Sequence, residues 1–220
     1  MRKIRLYFSK TGNAKYISHL DLARLFGRAF ARIGIPVRYS EGYNPHMRLV
    51  FGPPLSLGYE GTKEILDFET EEEIGCDEIV GMFNKSLPSG ISVNSACEPK
   101  TSIGDVAYAA YKIEMTTEDM DEKTVRSLNS LFCGGPIEVL KKSKSGEKIT
   151  DIAPMVDSII FELSGDGKKI TVDAVLACSN SSNLNPEYIK SAAAKYLSID
   201  FSGFECVRTN FLNAEKKPLN

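Results

Sequence analysis

Arg24, Arg28 and Arg32 recur at four-residue steps just after His19. His19 is one of only two histidines in this 220-residue chain, and the other, His46, closes the loop Glu41-Gly42-Tyr43-Asn44-Pro45-His46. Arginines one helical turn apart form a basic strip, and each guanidinium offers a planar fork of donors that fits phosphate oxygens. The same strip would equally serve as a solvated face paired with carboxylates. Tyr43 supplies a ring that can stack on a base and Asn44 an amide that can bond its edge, the means by which single-stranded RNA is read. The alternative is a crossover that uses Gly42, Asn44 and Pro45 for shape alone. His46, in a polar loop, is placed for the general acid–base chemistry of metal-independent ribonucleases. His19 lies in the first turn of a helix, where the helix end favours the neutral imidazole. It also falls on the apolar side of the helical wheel, so a satisfied, half-buried histidine is its other reading. Asp21 is a third candidate acid. His19, His46, Asp21 and Glu41 lack the HxxxH or CxxC spacing of a metal site, and no metal is expected.

The second half offers less. Lys141 and Lys144 belong to a lysine-rich stretch, Lys141–Lys148, that would either clamp phosphates or form a solvated hairpin tip. Asp151 enters an apolar run and needs a partner if buried, with Arg208 on the last strand as the candidate.

A helix must position the arginines. Ser18 with Asp21 three residues on is a capping box with Asp in place of Glu, and Gly34 with Pro36 ends the helix. Leu20, Ala23, Phe26, Gly27, Phe30 and Ile33 recur at three- and four-residue steps and are expected to share one buried face. Alternation predicts strands at Lys3–Ser9 and Lys63–Glu69, the latter with Leu66 and Phe68 inward. Further strands are expected at Val37–Ser40, Met47–Phe51 and Ile91–Ala96, with a second helix over Cys76–Leu87. That order, β-α-β-β-α-β, is the ferredoxin-like unit. The second half repeats it through helices at Asp121–Phe132 and Pro186–Leu197 and a last strand at Phe204–Phe211. The expected fold class is therefore α+β, with tandem duplicated ferredoxin-like (βαββαβ) halves and antiparallel sheets. Residues 1–100 form the N-terminal half, 106–212 the C-terminal half, and 213–220 a polar, frayed tail.

The run SHLDLARLFGRAFARIGIPVRYSEGYNPH, followed by F-G-x-P-L-x-x-G, resembles the signature of a bacterial family of unknown function. That family is linked to radical-SAM proteins, fused behind the radical-SAM module or encoded beside it. The resemblance continues weakly into Gly146–Ile152. It implies a radical-SAM protein as a partner in trans. The five cysteines, at 76, 97, 133, 178 and 206, lack the close spacing that holds an iron–sulfur cluster, so the radical chemistry would belong to that partner.

Charge is unevenly spread. The net charge is −2, yet residues 1–50 carry ten Lys/Arg against two Asp/Glu and residues 51–100 carry three against ten. The first segment alone has the local field of a polyanion binder; the two segments together would neutralise each other across one sheet. With no long apolar run, no export signal and an odd, scattered set of cysteines, the chain is expected to be cytoplasmic and off the membrane. The expected role is an RNA-binding or substrate-presenting accessory to a radical-SAM enzyme in tRNA or rRNA modification, with no cofactor of its own and no DNA partner. One alternative is a ribonuclease or RNA-modifying enzyme using His46 or His19. The other is a scaffold that docks the radical-SAM protein without binding RNA.

Overall fold

A computed structural model describes residues 1–118, 121–143, 146–165 and 167–220. The architecture is mixed α+β with mostly antiparallel strands, and the chain forms two compact units. The first comprises Met1–Val106 and Arg208–Asn220, the second Ala107–Val207.

The first unit contains β1 (Arg2–Lys10), α1 (His19–Ile33), β2 (Val50–Phe51), β3 (Glu60–Thr70), α2 (Cys76–Ser86) and β4 (Ile91–Cys97). It also takes residues 208–212 of the last strand, β10 (Gly203–Leu212). The strand order is β4-β1-β3-β10, with the short β2 also paired to β3. β1 runs antiparallel to both β3 and β4. Period-two alternation puts Ile4, Leu6 and Phe8 of β1 with Leu66 and Phe68 of β3 on one face. There they pack with Leu22, Phe26, Ala29 and Phe30 of α1 and with Ile79 and Phe83 of α2. Rings interlock at this layer, Phe8 with Phe26 at 4.9 Å between centroids and Phe30 with Phe83 at 4.8 Å.

The opposite face of the same strands is buried as well, so β3 is enclosed on both sides. Arg5 meets Asp67 through Nε–Oδ1 and Nη2–Oδ2 bonds of 2.7 and 2.9 Å. The sequence favoured Leu66 and Phe68 as the inward pair, but Ile65 and Asp67 are just as buried. What covers them is the last stretch of the chain. The Tyr7 hydroxyl donates to the Leu219 carbonyl at 2.8 Å, and the amides of Lys100 and Thr101 donate to the carbonyl of Asn220 at 2.8 and 3.0 Å. Leu219 is 1% exposed. The expected frayed tail is thus a docked one, because its backbone and one leucine complete a buried face.

Two further expectations fail locally. Val37–Ser40 is no strand; its pairing is an isolated bridge of Tyr39 with Met47, beside which the Arg38 amide donates to the Glu69 carbonyl and the Ser40 amide to that of His46. The apolar face of α1 is also rotated from the expected one. Leu20 is 59% exposed, while Leu22 and Ala29 are buried beside Phe26 and Phe30. Two stripes of α1 could face inward, and the bulkier one does because it buries more apolar surface.

The second unit holds β5 (Tyr108–Thr116), α3 (Glu122–Phe132), β6 (Glu138–Ser143), β7 (Gly146–Asp151), β8 (Val156–Leu163), β9 (Ile170–Ala177), α4 (Glu187–Leu197) and the first residues of β10. Its strand order is β10-β5-β9-β8, and β6–β7 is a separate hairpin. Lys141 and Lys142 of the lysine-rich stretch pair with Lys148 and Glu147 across that hairpin, the second of the two readings of this stretch. Each unit closes one edge strand in the same way. Asn84 of α2 bonds both the amide and the carbonyl of Val93 on β4, each at 2.8 Å. Asn129 of α3 does so with Phe161 on β8, at 3.0 and 2.8 Å. A side-chain amide occupies backbone groups that an exposed edge would otherwise offer to another strand.

Candidate functional site

α1 begins where the sequence says it should. Ser18 Oγ accepts the Asp21 amide at 3.1 Å and donates to Asp21 Oδ2 at 2.7 Å. These bonds, with Arg24, hold the Asp21 carboxyl below the usual carboxylate range. At the other end Gly34 adopts the left-handed conformation, φ 75°, and its amide returns to the Phe30 carbonyl.

Beside α1 lies a shallow groove of about 680 Å³. One wall is the α1 stripe His19, Ala23, Arg24, Gly27, Arg28 and Ala31; the other is the segment His46, Met47, Leu49 and Phe51. The groove therefore joins both histidines, two of the three arginines and an apolar lining. Arg24 is exposed and makes an i,i+3 bond to Asp21 at 3.2 Å, a pairing of the weak surface kind. Arg28 has no ion pair or hydrogen bond among the described residues. Gly27 sits in the helix interior, where glycine costs about 1 kcal/mol relative to alanine, and a Cβ built on it would meet nothing within 4 Å.

His19 is exposed at its outer edge, but its ring stands edge-on to Phe51 at 5.5 Å between centroids. The water lost there lowers its pKa below the ordinary 6.5; Glu64 opposes the shift, and the positive charges of Lys10 and Arg208 add to it. The direction matches the sequence expectation, but desolvation is the main cause rather than the helix end. His46 is clamped by Ser40. The Ser40 hydroxyl accepts the His46 amide at 3.1 Å and pairs with Nδ1 at 2.9 Å, leaving Nε2 without a partner among the described residues.

His19 and Phe51 also line a very small pocket, of about 10 Å³, together with Lys10, Glu64, Phe8, Gly52 and Pro53 among others. A register shift between Phe8 and Lys10 marks a bulge in β1 at this point. Lys10 is 2% exposed, and its ammonium donates to the carbonyls of Ile17 at 3.1 Å and Lys15 at 3.4 Å. Burial pushes its pKa down, Glu64 partly restores it, and Arg208 lowers it further. Glu64 is bound two-fold by Arg208, whose Nη2 also donates to the Pro53 carbonyl at 2.7 Å. A Cβ on Gly52 would stand 2.8 Å from Ile65, so the Phe51-Gly52-Pro53-Pro54 turn is built for close approach to β3. Sequence reasoning missed Lys10, which falls one residue past the expected strand Lys3–Ser9, and Glu64, which sits in a strand that read as ordinary alternation. It assigned Arg208 to Asp151, but Asp151 caps the Ile137 and Ala153 amides at 2.8 and 3.0 Å instead.

The remaining candidates lie outside the groove. Arg32 donates to the carbonyl and hydroxyl of Ser86 at 2.8 and 3.1 Å, where it caps the last turn of α2. Tyr43 is fully exposed and Asn44 exposed at the tip of the loop, and neither lines the groove. In the second unit, Lys141 is held by the Asn183 carbonyl at 3.1 Å and lies over the Tyr188 ring, and burial lowers its pKa. Lys144 lies outside the described residues. Among the described residues no three His, Cys, Asp or Glu side chains are grouped so as to hold a metal ion. No helix among them is long and apolar enough to cross a membrane.

Residues 3–186 match the family described as an uncharacterised protein conserved in bacteria, DUF2344. The chain belongs to this family. Membership covers α1, the His46 loop and the groove between them, so the site is inside the family's domain. No curated protein matches the chain. Among solved structures it is similar to a DypB variant in complex with manganese, at 11% identity and a TM-score of 0.21, over 94% of this chain and 93% of that one. At that level nothing of fold or chemistry transfers.

Proposed function

We propose that the α1 groove binds single-stranded RNA and that this DUF2344 protein presents it to a radical-SAM enzyme in RNA modification. One observation carries the RNA reading: Arg24, Arg28, His19 and His46 line a single groove whose other lining residues are apolar. Guanidinium groups suit phosphates, and an apolar lining suits the faces of unpaired bases. The basic strands do not contribute. Arg2 pairs with Glu98, Arg5 with Asp67, and Arg38 with Glu69, so the acidic second segment neutralises them, while on the groove Arg24 has only its exposed pairing to Asp21 and Arg28 has none among the described residues. The radical-SAM partner rests on the sequence resemblance alone. We read the scaffold as a tandem ferredoxin-like duplication. In its support, each unit sets its first long strand between its last strand and the strand before the second helix, and joins them through two helices.

The test is a titration of bulk tRNA against the purified protein over a range of salt, beside an Arg24→Ala/Arg28→Ala variant. Phosphate contacts predict affinity that falls steeply with salt and a slope that shrinks by about 1 per arginine removed. No binding at low salt would sink the RNA reading and leave the loop bearing Tyr43 as a docking surface for a protein.

A second reading has its own observation. Two imidazoles on one groove, one of them held towards the neutral form, suit acid–base cleavage of RNA. It requires turnover by the protein alone that is lost in folded His46→Ala.

A further inference from the structure

Nothing in the fold requires a glycine at position 27. The position is helical, and no neighbouring atom would touch a Cβ placed there. Neither backbone conformation nor packing therefore excludes alanine, the better helix former. Its one distinguishing feature is its place, midway along the α1 wall between Ala23 and Ala31 and across from Met47, Leu49 and Phe51. Arg24 and Arg28 each follow a small wall residue by one position, about 6 Å apart along the axis.

We propose that the groove at Gly27 seats one unpaired base of a single-stranded RNA. The ring lies against bare helix backbone on one side and the apolar Met47–Phe51 wall on the other, while Arg24 and Arg28 hold the flanking phosphates. This rests on the RNA reading above. Without a Cβ a planar ring approaches the helix more closely, and any side chain would occupy that space. Paired bases cannot be inserted in this way, so a duplex is not the ligand. Gly81 provides a control inside the same protein. It too is helical and without neighbours for a Cβ, but it is exposed, lies in α2 and does not line the groove.

The experiment measures anisotropy of labelled single-stranded oligoadenylate and oligouridylate, with an RNA hairpin duplex and free AMP and UMP as competitors. Folding of each variant is followed by circular dichroism. Gly27→Ala and Gly81→Ala should each raise Tm by about 2–4 °C. Gly27→Ala should weaken single-strand binding several-fold and Gly27→Leu by about ten-fold or more, with Gly81→Ala unchanged. Gly27 variants that bind like the unaltered protein, while Arg24→Ala/Arg28→Ala binds worse, would overturn the base seat and leave the RNA reading standing. A hairpin duplex that competes as well as the single strand would overturn it too, as would free AMP or UMP competing as well as the oligonucleotides. If the unaltered protein binds no probe at low salt, the RNA reading fails and the seat with it.

Discussion

Arg208 and Glu64 meet through two side-by-side bonds, Nε to Oε1 at 2.9 Å and Nη2 to Oε2 at 2.6 Å, with both side chains almost wholly out of water. Their separation of 144 residues makes this a tertiary lock rather than a local pairing. Through the Pro53 carbonyl the same guanidinium fixes the turn that carries Phe51 into the groove wall. Lys10 stands nearby as a second buried cation whose ammonium is bonded to backbone carbonyls. Two cations therefore depend on one carboxylate. Glu64→Ala should lower the unfolding free energy by about 3–5 kcal/mol, the range for breaking a buried pair from one side. Urea denaturation measures it, and a loss under about 1 kcal/mol would show that water reaches the pair.

His19 should titrate below 6.5 in the folded protein, because the ring gives up water against Phe51 and faces the charges of Lys10 and Arg208. The unfolded chain then binds the proton more readily than the folded one. Stability from this group is complete above pH 6.5 and falls as pH drops from there through the folded value. Phe51→Ala should move the midpoint back up. An NMR titration of the imidazole resonances reads both, and a His19 midpoint at or above 6.5 would contradict the packing.

Arg32 and Arg28 differ by one turn of helix and should behave oppositely. Arg32→Ala removes the cap on Ser86 and should cost about 1 kcal/mol while leaving the salt slope of RNA binding intact. Arg28→Ala should leave stability unchanged within about 0.5 kcal/mol and reduce that slope. A paired series of melts and titrations separates them; equal slopes would place the phosphates elsewhere.

The docked end of the chain gives a purely structural prediction. Leu219→Ala should cost about 2–5 kcal/mol as a buried leucine truncation. Tyr7→Phe should cost about 1–3 kcal/mol, since the Leu219 carbonyl loses its donor. Both are read from chemical denaturation, and neither should alter the groove.

The local elements were legible because local chemistry sets them. Ser18 and Gly34 bound α1 as caps, and alternation located β1 and β3. The groove was legible in part: His19, Arg24, Arg28 and His46 belong to it, while Arg32, Tyr43 and Asn44 do not. Helical spacing groups residues by angle but does not decide which of two apolar stripes turns inward. That choice depends on bulk, and it sent Leu22 to the core and left Ala23 and Gly27 on the groove. Glu64 and Lys10 were hidden for a different reason. Their roles come from a partner at Arg208 and from a bulge, neither of which leaves a periodic mark.

One strand belongs to both units, and this sets the timetable of assembly. The first unit requires residues 208–220, so Glu64 must wait while the whole of Ala107–Val207 is synthesised. At ribosomal speed that delay is on the order of 10 s, during which Lys10 already has the Ile17 and Lys15 carbonyls within the nascent chain but Glu64 lacks Arg208. The unit that starts first finishes last, and the groove wall at Phe51 is set only when Arg208 arrives.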